Sequence, residues 1–291
     1  MKWEDRERSQ NVDDRRRKRQ SVQTGLGIGA GTLILAFVIG LLGGNPMDVL
    51  SGAAQQQQQQ PQYETDPNAP VNQAEEELAQ FVSVVLKETE DVWNRLFPEQ
   101  IGQRYQEPIL VLFSGAVSSA CGNASAATGP FYCPGDHKLY IDLSFYQQLK
   151  RRFNAPGDFA MAYVVAHEVG HHVQNLLGFT NYVHKLRRQL PQKEYNKYSV
   201  RLELMADYLA GVWARETQKK GLLNDGDIEE ALRAAHAIGD DTIQKQSQGY
   251  VVPDSFTHGT SEQRMKYFKA GLEAGNVDPD LLKKFFEADQ I

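Results

Sequence analysis

The sequence is poor in cysteine, shows no internal repeat, and lacks a basic excess in its main part. Two cysteines occur in 291 residues, and 41% of the side chains are hydrophobic, which predicts one globular domain with appendages. The net charge is −6. Residues 1–20 hold eight basic and five acidic side chains, so the remainder carries −9. An acidic remainder argues against nucleic acid as a partner, because phosphate binding requires a basic surface.

Charged residues are also absent between Gln20 and Met47, and residues 25–42 are apolar throughout. As a helix these 18 positions would span roughly 27 Å, close to the thickness of a bilayer core. The basic flank predicts a cytoplasmic segment at 1–20, a single-pass anchor in the cell membrane at 21–44, and an extracytoplasmic remainder. A cleaved signal peptide is the alternative, although its apolar core would be unusually long.

Glycine recurs within this stretch, and the residues that follow it are mostly small or polar. Glycines at 25, 27, 29 and 31 include spacings that could seat a helix dimer and so a homo-oligomer, and the ordinary glycine enrichment of membrane helices is an equally good explanation. Residues 45–70 include six consecutive glutamines and several prolines. Such a composition predicts a disordered linker, which leaves 71–291 as the folded domain.

Cys121 and Cys133 bracket a short loop, and their separation does not suit a cysteine-ligated zinc site. A disulfide closing this loop would contribute about 3 kcal/mol on the chain-entropy estimate. Two free buried thiols are the alternative. An oxidising compartment outside the membrane favours the disulfide.

Hydrophobic periodicity predicts an α+β domain that is mainly helical, with a small sheet. Helical spacing covers 72–97, and two short β-rich runs occupy 107–115 and 138–145. A further helix begins at Asp158, the expected N-cap, and ends at Gly178.

This last helix carries the motif H-E-x-x-H at His167, Glu168 and His171. The i, i+4 spacing places both imidazoles on one face, where they can bind one zinc ion, with Glu168 beside them as a general base. A surface helix with solvated histidines is the alternative, but the surrounding valines predict a buried helix. Gly170 indicates a close approach, and His172 lies about 100° from His171, too far around the helix to bind the same metal.

A catalytic zinc site needs a third protein ligand, and the helical stretch 199–216 offers one. Glu203 and Asp207 are one turn apart in an otherwise apolar helix. Glu203 is the expected ligand. Asp207 is expected to accept a hydrogen bond from a ligand histidine and fix its tautomer.

These motifs resemble those of a known family, the bacterial membrane-anchored neutral zinc metallopeptidases. The matching stretches are KWEDRERSQNVDDRRR, GPFYCPGDHKLYIDLSFY, AHEVGHHVQNLLG, RLELMADYLAGVWA and FTHGTSEQR. H-E-x-x-H followed by E-x-x-A-D also looks like the gluzincins, especially the HtpX-like and CAAX-prenyl endopeptidases. The resemblance implies a zincin-like domain at 71–291 behind one membrane helix, with one zinc ion per chain.

His258 is the remaining catalytic candidate. In the HtpX-like relatives a T-H-P segment and a later arginine follow the third ligand, and Thr257, His258 and Arg264 resemble them, although Gly259 replaces the proline. The histidine precedes a helix expected to be capped by Thr260, where it could stabilise an oxyanion. A loop histidine without a task is the alternative.

The expected function is therefore a membrane-anchored zinc endopeptidase acting on peptide or protein substrates. Zinc would activate a water molecule, Glu168 would move its proton, and residues 138–143 are expected to be an edge strand that holds the substrate extended. A catalytically silent zincin-fold scaffold of the cell envelope is the alternative. A purely structural site, however, would not require Glu168.

Overall fold

The computed structural model describes residues 1–16, 18–20, 63–65 and 72–287. It confirms a mainly helical α+β architecture with a small sheet. In chain order the elements are β1 (Val12–Asp14), β2 (Lys18–Gln20), β3 (Tyr63–Thr65), α1 (Gln73–Leu96), β4 (Ile109–Phe113), β5 (Ala116–Ser119), β6 (Gly122–Ser125), β7 (Phe131–Cys133), β8 (Lys138–Asp142), α2 (Ser144–Arg151), α3 (Asp158–Leu176), α4 (Phe179–Leu186), α5 (Gln192–Lys219), α6 (Asp227–Ala237), α7 (Asp240–Gln248), α8 (Ser261–Ala274) and α9 (Pro279–Glu287).

The chain divides into two compact units, and the smaller one comprises Arg17–Ala69. Its described residues are β2 and β3, which pair antiparallel. The anchor predicted at 21–44 lies outside the described residues, and so does most of the linker predicted at 45–70, apart from β3. Across the described ranges, no helix has the length and apolar character needed to span a membrane.

The larger unit is organised around helix α3, which packs against α1, α5 and α6. Nearly every side chain of α3 is buried, because the run from Phe159 to Val173 is apolar on most sides. Its N-cap is Gly157, not Asp158 as predicted, and Asp158 is the first helical residue. The carboxylate of Asp158 instead accepts hydrogen bonds from the amino group of Met1.

Glycines set the spacing between the helices that carry the site. A Cβ added at Gly170 would lie 3.0 Å from the backbone oxygen of Ala206, so the close approach inferred from the sequence is that of helix α5. At the α5–α8 crossing, a Cβ at Gly211 would lie 2.0 Å from the oxygen of Phe268. One at Gly271 would lie 1.9 Å from the oxygen of Tyr208. Side chains at these positions would push the helices apart.

The main sheet has the strand order β1-β4-β8-β7. Strand β4 is parallel to both β1 and β8, whereas β7 is antiparallel to β8. The prediction that residues 138–143 form the edge strand is wrong, because β8 lies between β4 and β7. Leu139, Tyr140 and Ile141 are all buried, as expected of a strand covered on both faces. In the described sheet β7 (Phe131–Cys133) is the edge strand on this side, and β1 is the edge strand on the other.

The predicted disulfide between Cys121 and Cys133 is confirmed. Cys121 lies in the exposed β5–β6 turn, and Cys133 is fully buried at the end of β7. The bond therefore fastens the edge strand to the β5–β6 hairpin.

The N-terminal residues are part of the larger unit. The sequence predicts 1–20 as a segment separate from the domain, but Met1–Arg16 cluster with Pro70–Ile291. Strand β1 pairs with β4, Met1 is buried, and Arg6 forms an ion pair with buried Glu88. The strand has only three residues, Val12 and two aspartates, so its sequence carries no periodicity that would reveal it. A single membrane crossing between residues 16 and 72 would separate β1 from β4.

This pairing predicts that residues 16 and 76 lie on the same side of any membrane. Arg16 Nη2 is 3.0 Å from Glu76 Oε2. We expect an Arg16→Cys/Glu76→Cys variant, treated with a short bis-maleimide in native membranes, to form an intrachain cross-link detected by gel mobility. The single-cysteine variants are the controls. Labelling of the two positions from opposite faces by an impermeant maleimide would contradict the pairing.

Candidate metal centre

Three predicted ligands converge between helices α3 and α5. His167 and His171 are one turn apart on α3, and Glu203 faces them from α5. The Oε2 atom of Glu203 is 3.2 Å from Nε2 of His167, and its Oε1 atom is 3.4 Å from Nε2 of His171. The three donor atoms lie within 4.8 Å of one another, close enough to share one ion.

Hydrogen bonds fix which nitrogen each imidazole presents. Nδ1 of His167 is 2.8 Å from the carboxylate of Asp207, and Nδ1 of His171 is 3.0 Å from the amide oxygen of Gln174. Both partners can only accept there, so both Nδ1 atoms carry the proton. Gln174 is itself held, because its amide nitrogen donates to the carbonyl of Leu202 at 2.6 Å. Each Nε2 is thereby left free to coordinate a metal.

Asp207 is fully buried, and both of its carboxylate oxygens accept hydrogen bonds. Besides His167, it accepts hydrogen bonds from the hydroxyl of Tyr163 and from the guanidinium of Arg264 at 2.9 and 3.0 Å. Burial alone would raise the pKa of Asp207, but Arg264 and His167 lower it to about 2. Asp207 is therefore a permanent carboxylate.

The electrostatics favour positive charge at the three donors. Burial would lower the pKa of His167, but the carboxylates of Asp207 and Glu203 raise it to about 9. Glu203 likewise raises the pKa of His171. The pKa of Glu203 is held well below its usual range, since the histidines outweigh its burial. A site that binds protons this strongly also attracts a divalent cation, and two imidazoles with one carboxylate fit a catalytic zinc.

The donors open into a cavity of about 570 Å³. Glu168 lines the same cavity, is 7% exposed, and is not one of the three clustered donors. The predicted base therefore lies beside the donors without belonging to them.

His258 also lines this cavity, on the segment leading to α8. Its Nδ1 atom is 3.2 Å from Asp240, whose other oxygen accepts the backbone N–H groups of Thr257, His258 and Gly259. Burial would lower the pKa of His258, but Glu203 and Asp240 raise it. Thr260 caps α8 with Gln263 as its capping-box partner, as the sequence predicts.

His172 lies apart from the donors, as expected from its angle on the helix. It is fully buried, its nitrogens contact Tyr132 and the carbonyl of Gln106, and its pKa falls to about 4, chiefly through burial. It is therefore a neutral imidazole at physiological pH.

Sequence analysis assigned no role to three polar residues that hold the donors, namely Tyr163, Gln174 and Arg264. Tyr163 precedes His167 by one helical turn, and Gln174 follows His171 by three residues. Both spacings place these side chains on the face of α3 that carries the donors, and this was the available signal. Arg264 was noted through the resemblance only, because its contact with Asp207 depends on the packing of α8 against α5.

The orienting role of Asp207 can be tested with zinc alone. We expect Asp207→Asn to weaken zinc binding by roughly 10- to 100-fold, because an amide no longer matches His167, Tyr163 and Arg264. Chelator competition measures the affinity. Asp142→Asn is the matched control, since Asp142 is also buried but does not line the cavity. Equal affinities in the two variants would contradict the role.

Comparisons with known proteins agree with this site. Residues 1–280 match the model of the family described as "Putative neutral zinc metallopeptidase". Protein YpfJ of Escherichia coli (strain K12) is 48% identical over 284 residues, covering 95% of this chain and 96% of that protein. Protein Rv2575 of Mycobacterium tuberculosis (strain ATCC 25618 / H37Rv) is 44% identical over 209 residues, covering 68% and 67%. No solved structure matches. This chain therefore belongs to the family of neutral zinc metallopeptidases.

Proposed function

We propose that this protein is a zinc-dependent endopeptidase of the gluzincin type, with one zinc ion per chain. The family implies a zinc cofactor. One observation carries the catalytic proposal, namely that Glu168 is buried in the cavity that holds His167, His171 and Glu203 without being one of the clustered donors. A carboxylate in this position suits proton transfer and is unnecessary for a structural metal.

In this proposal the three donors hold zinc through the two Nε2 atoms and the Glu203 carboxylate. When bound, zinc polarises a carbonyl oxygen and lowers the pKa of water. Glu168 takes a proton from the attacking water and delivers it to the leaving amine. His258 donates from Nδ1 to Asp240, so its Nε2 can donate to the oxyanion of the tetrahedral intermediate when the imidazole is protonated, the form that Glu203 and Asp240 favour.

The cavity suits an extended polypeptide. Strand β7 runs along it, and in the described sheet only one edge of β7 is paired. A substrate adding as a further strand would satisfy its backbone groups there. The aromatic rings of Phe131, Phe145 and Phe153 line the same cavity, which favours an apolar substrate side chain next to the scissile bond.

We also propose a location at the cell membrane, with the apolar stretch at 25–42 as the attachment. This rests on composition alone. The pairing of β1 with β4 supports a position of residues 1–16 on the same side of the membrane as the domain, instead of the cytoplasmic N-terminus expected from the basic flank. The disulfide favours the extracytoplasmic side, where thiols are oxidised.

A catalytically silent scaffold is the competing function, and Glu168→Gln separates the two. We expect this variant to bind zinc like the wild type and to lose about 10³-fold in kcat on an unfolded protein substrate, because an amide cannot accept the proton. Zinc content and single-turnover cleavage are the measurements. Glu262→Gln, at an exposed position of α8, is the matched control. A zinc-loaded wild type that cleaves nothing in a broad peptide library would support the scaffold instead.

The role of His258 predicts a loss in kcat without loss of metal. His258→Gln should lower kcat about 100-fold with zinc content unchanged, because one oxyanion donor is removed. Asp240→Asn should have a smaller effect in the same direction. His236→Gln, an exposed histidine outside the cavity lining, is the control. If kcat of His258→Gln equals that of the wild type, His258 is a loop residue without a catalytic task.

A further inference from the structure

Helix α3 carries a second polar cluster beside the donors. His172 follows the donor His171 directly and has no exposed surface. Its Nε2 atom is 2.6 Å from the carbonyl oxygen of Gln106, and its Nδ1 atom is 3.0 Å from the hydroxyl of Tyr132. A carbonyl oxygen only accepts, so Nε2 carries the proton, and Nδ1 accepts the hydroxyl hydrogen of Tyr132.

Asn175 completes this cluster. It lies three residues after His172, hence on the same side of the helix, and its Nδ2 atom donates to the Tyr132 hydroxyl oxygen at 3.0 Å. The hydroxyl of Tyr132 therefore donates to one residue of α3 and accepts from another. Two hydrogen bonds at fixed angles define its position on the helix.

Tyr132 is the middle residue of the edge strand β7, and both of its neighbours are fastened as well. Phe131 stacks on Tyr140 of the adjacent strand, with ring centroids 4.8 Å apart. Cys133 is bonded to Cys121. All three side chains of the strand are thus held, while among the described strands none pairs with the outer backbone edge of β7.

We propose that His172 and Asn175 are positioning residues that set the height of β7 above the metal donors and thereby the affinity for extended polypeptide substrates. This rests on the proposed peptidase function. His171 and His172 are adjacent on one helix, so the element that orients the metal ligand also orients the strand that receives the substrate. Hydrogen bonds from this rigid helix thus hold the strand that receives the substrate backbone in place beside the cavity.

A purely structural role would make these residues matter for folding alone. The positioning role instead predicts a change in KM at constant kcat, because a displaced strand weakens the bound substrate and its transition state equally. The variants are Tyr132→Phe, which removes one oxygen atom, Asn175→Ala and His172→Phe. We expect KM for an unstructured decapeptide to rise about tenfold in each, with kcat within twofold and zinc content unchanged. The Tyr132→Phe/Asn175→Ala double variant should be no worse than Tyr132→Phe alone, since that single variant already removes the hydrogen bond that Asn175 donates.

Ser83→Ala is the matched control, because Ser83 is a buried hydroxyl on α1 that donates to the carbonyl of Ala79 and does not line the cavity. It should leave KM unchanged. The proposal is overturned if kcat or zinc content falls together with peptide affinity, if the double variant is additive, or if Ser83→Ala raises KM equally.

A readout without turnover separates this proposal from the peptidase function. In the Glu168→Gln background with zinc bound, Tyr132→Phe should weaken binding of a fluorescein-labelled decapeptide about tenfold and lower hydrogen-exchange protection at residues 131–133. If the wild type cleaves no peptide but these two changes occur, the endopeptidase proposal fails and the positioning role stands. Unchanged binding and protection would overturn the positioning role, whatever the activity.

Discussion

The site depends on one buried carboxylate. Asp207 has no exposed surface and joins three helices, because it receives His167 and Tyr163 from α3 and Arg264 from α8 while it belongs to α5. A charge in this position is tolerated only when every lone pair is engaged, and removing one partner typically costs about 3–5 kcal/mol. The same contact sets the tautomer of His167. The contacts of Asp207 therefore stabilise the packing of the three helices and also keep His167 in the tautomer that can bind a metal.

Close packing supplies the accuracy that this interaction needs. Hydrogen bonds between side chains on separate helices require backbones held to within a fraction of an ångström. Gly170 admits the backbone of α5 next to α3, and Gly211 and Gly271 admit α5 and α8 to each other. At each glycine, backbone atoms of the neighbouring helix occupy the space that a Cβ would fill. If one helix slid along the other, these atoms would meet the side chains on either side of the glycine. The arrangement of donors is thus built into the helix crossings.

Sequence spacing anticipated the parts of the site that are local to one helix. His167, Glu168 and His171 share a face by helical periodicity, and the Glu203–Asp207 pair does so by the same rule, so the ligand candidates could be named in advance. Residues whose roles arise from tertiary contacts could not be named in advance from their spacing. Tyr163 and Arg264 contribute through Asp207 on α5, which folding brings near them.

The N-terminal strand and the edge strand were missed for a related reason. Each has three residues, too few to show a period of two, and their places in the sheet follow from long-range pairing. Residues 138–142 have the apolar pattern of a strand, which the sequence shows, but whether such a strand is central or at an edge depends on which neighbours dock beside it. Here β7 pairs with the free side of β8, so β8 lies inside the sheet and not at its edge.

Strand β1 also has a consequence for solubility. The apolar strand β4 would be a sheet edge without it, and exposed apolar edges recruit strands from other molecules. Strand β1 covers that edge with a short segment containing Asp13 and Asp14. Charged, short edge strands are a common defence against edge-to-edge aggregation. In the part of the main sheet that the structure describes, β1 thereby discourages the pairing of foreign chains at one side, and the other side, at β7, lies along the cavity where we propose that the substrate pairs.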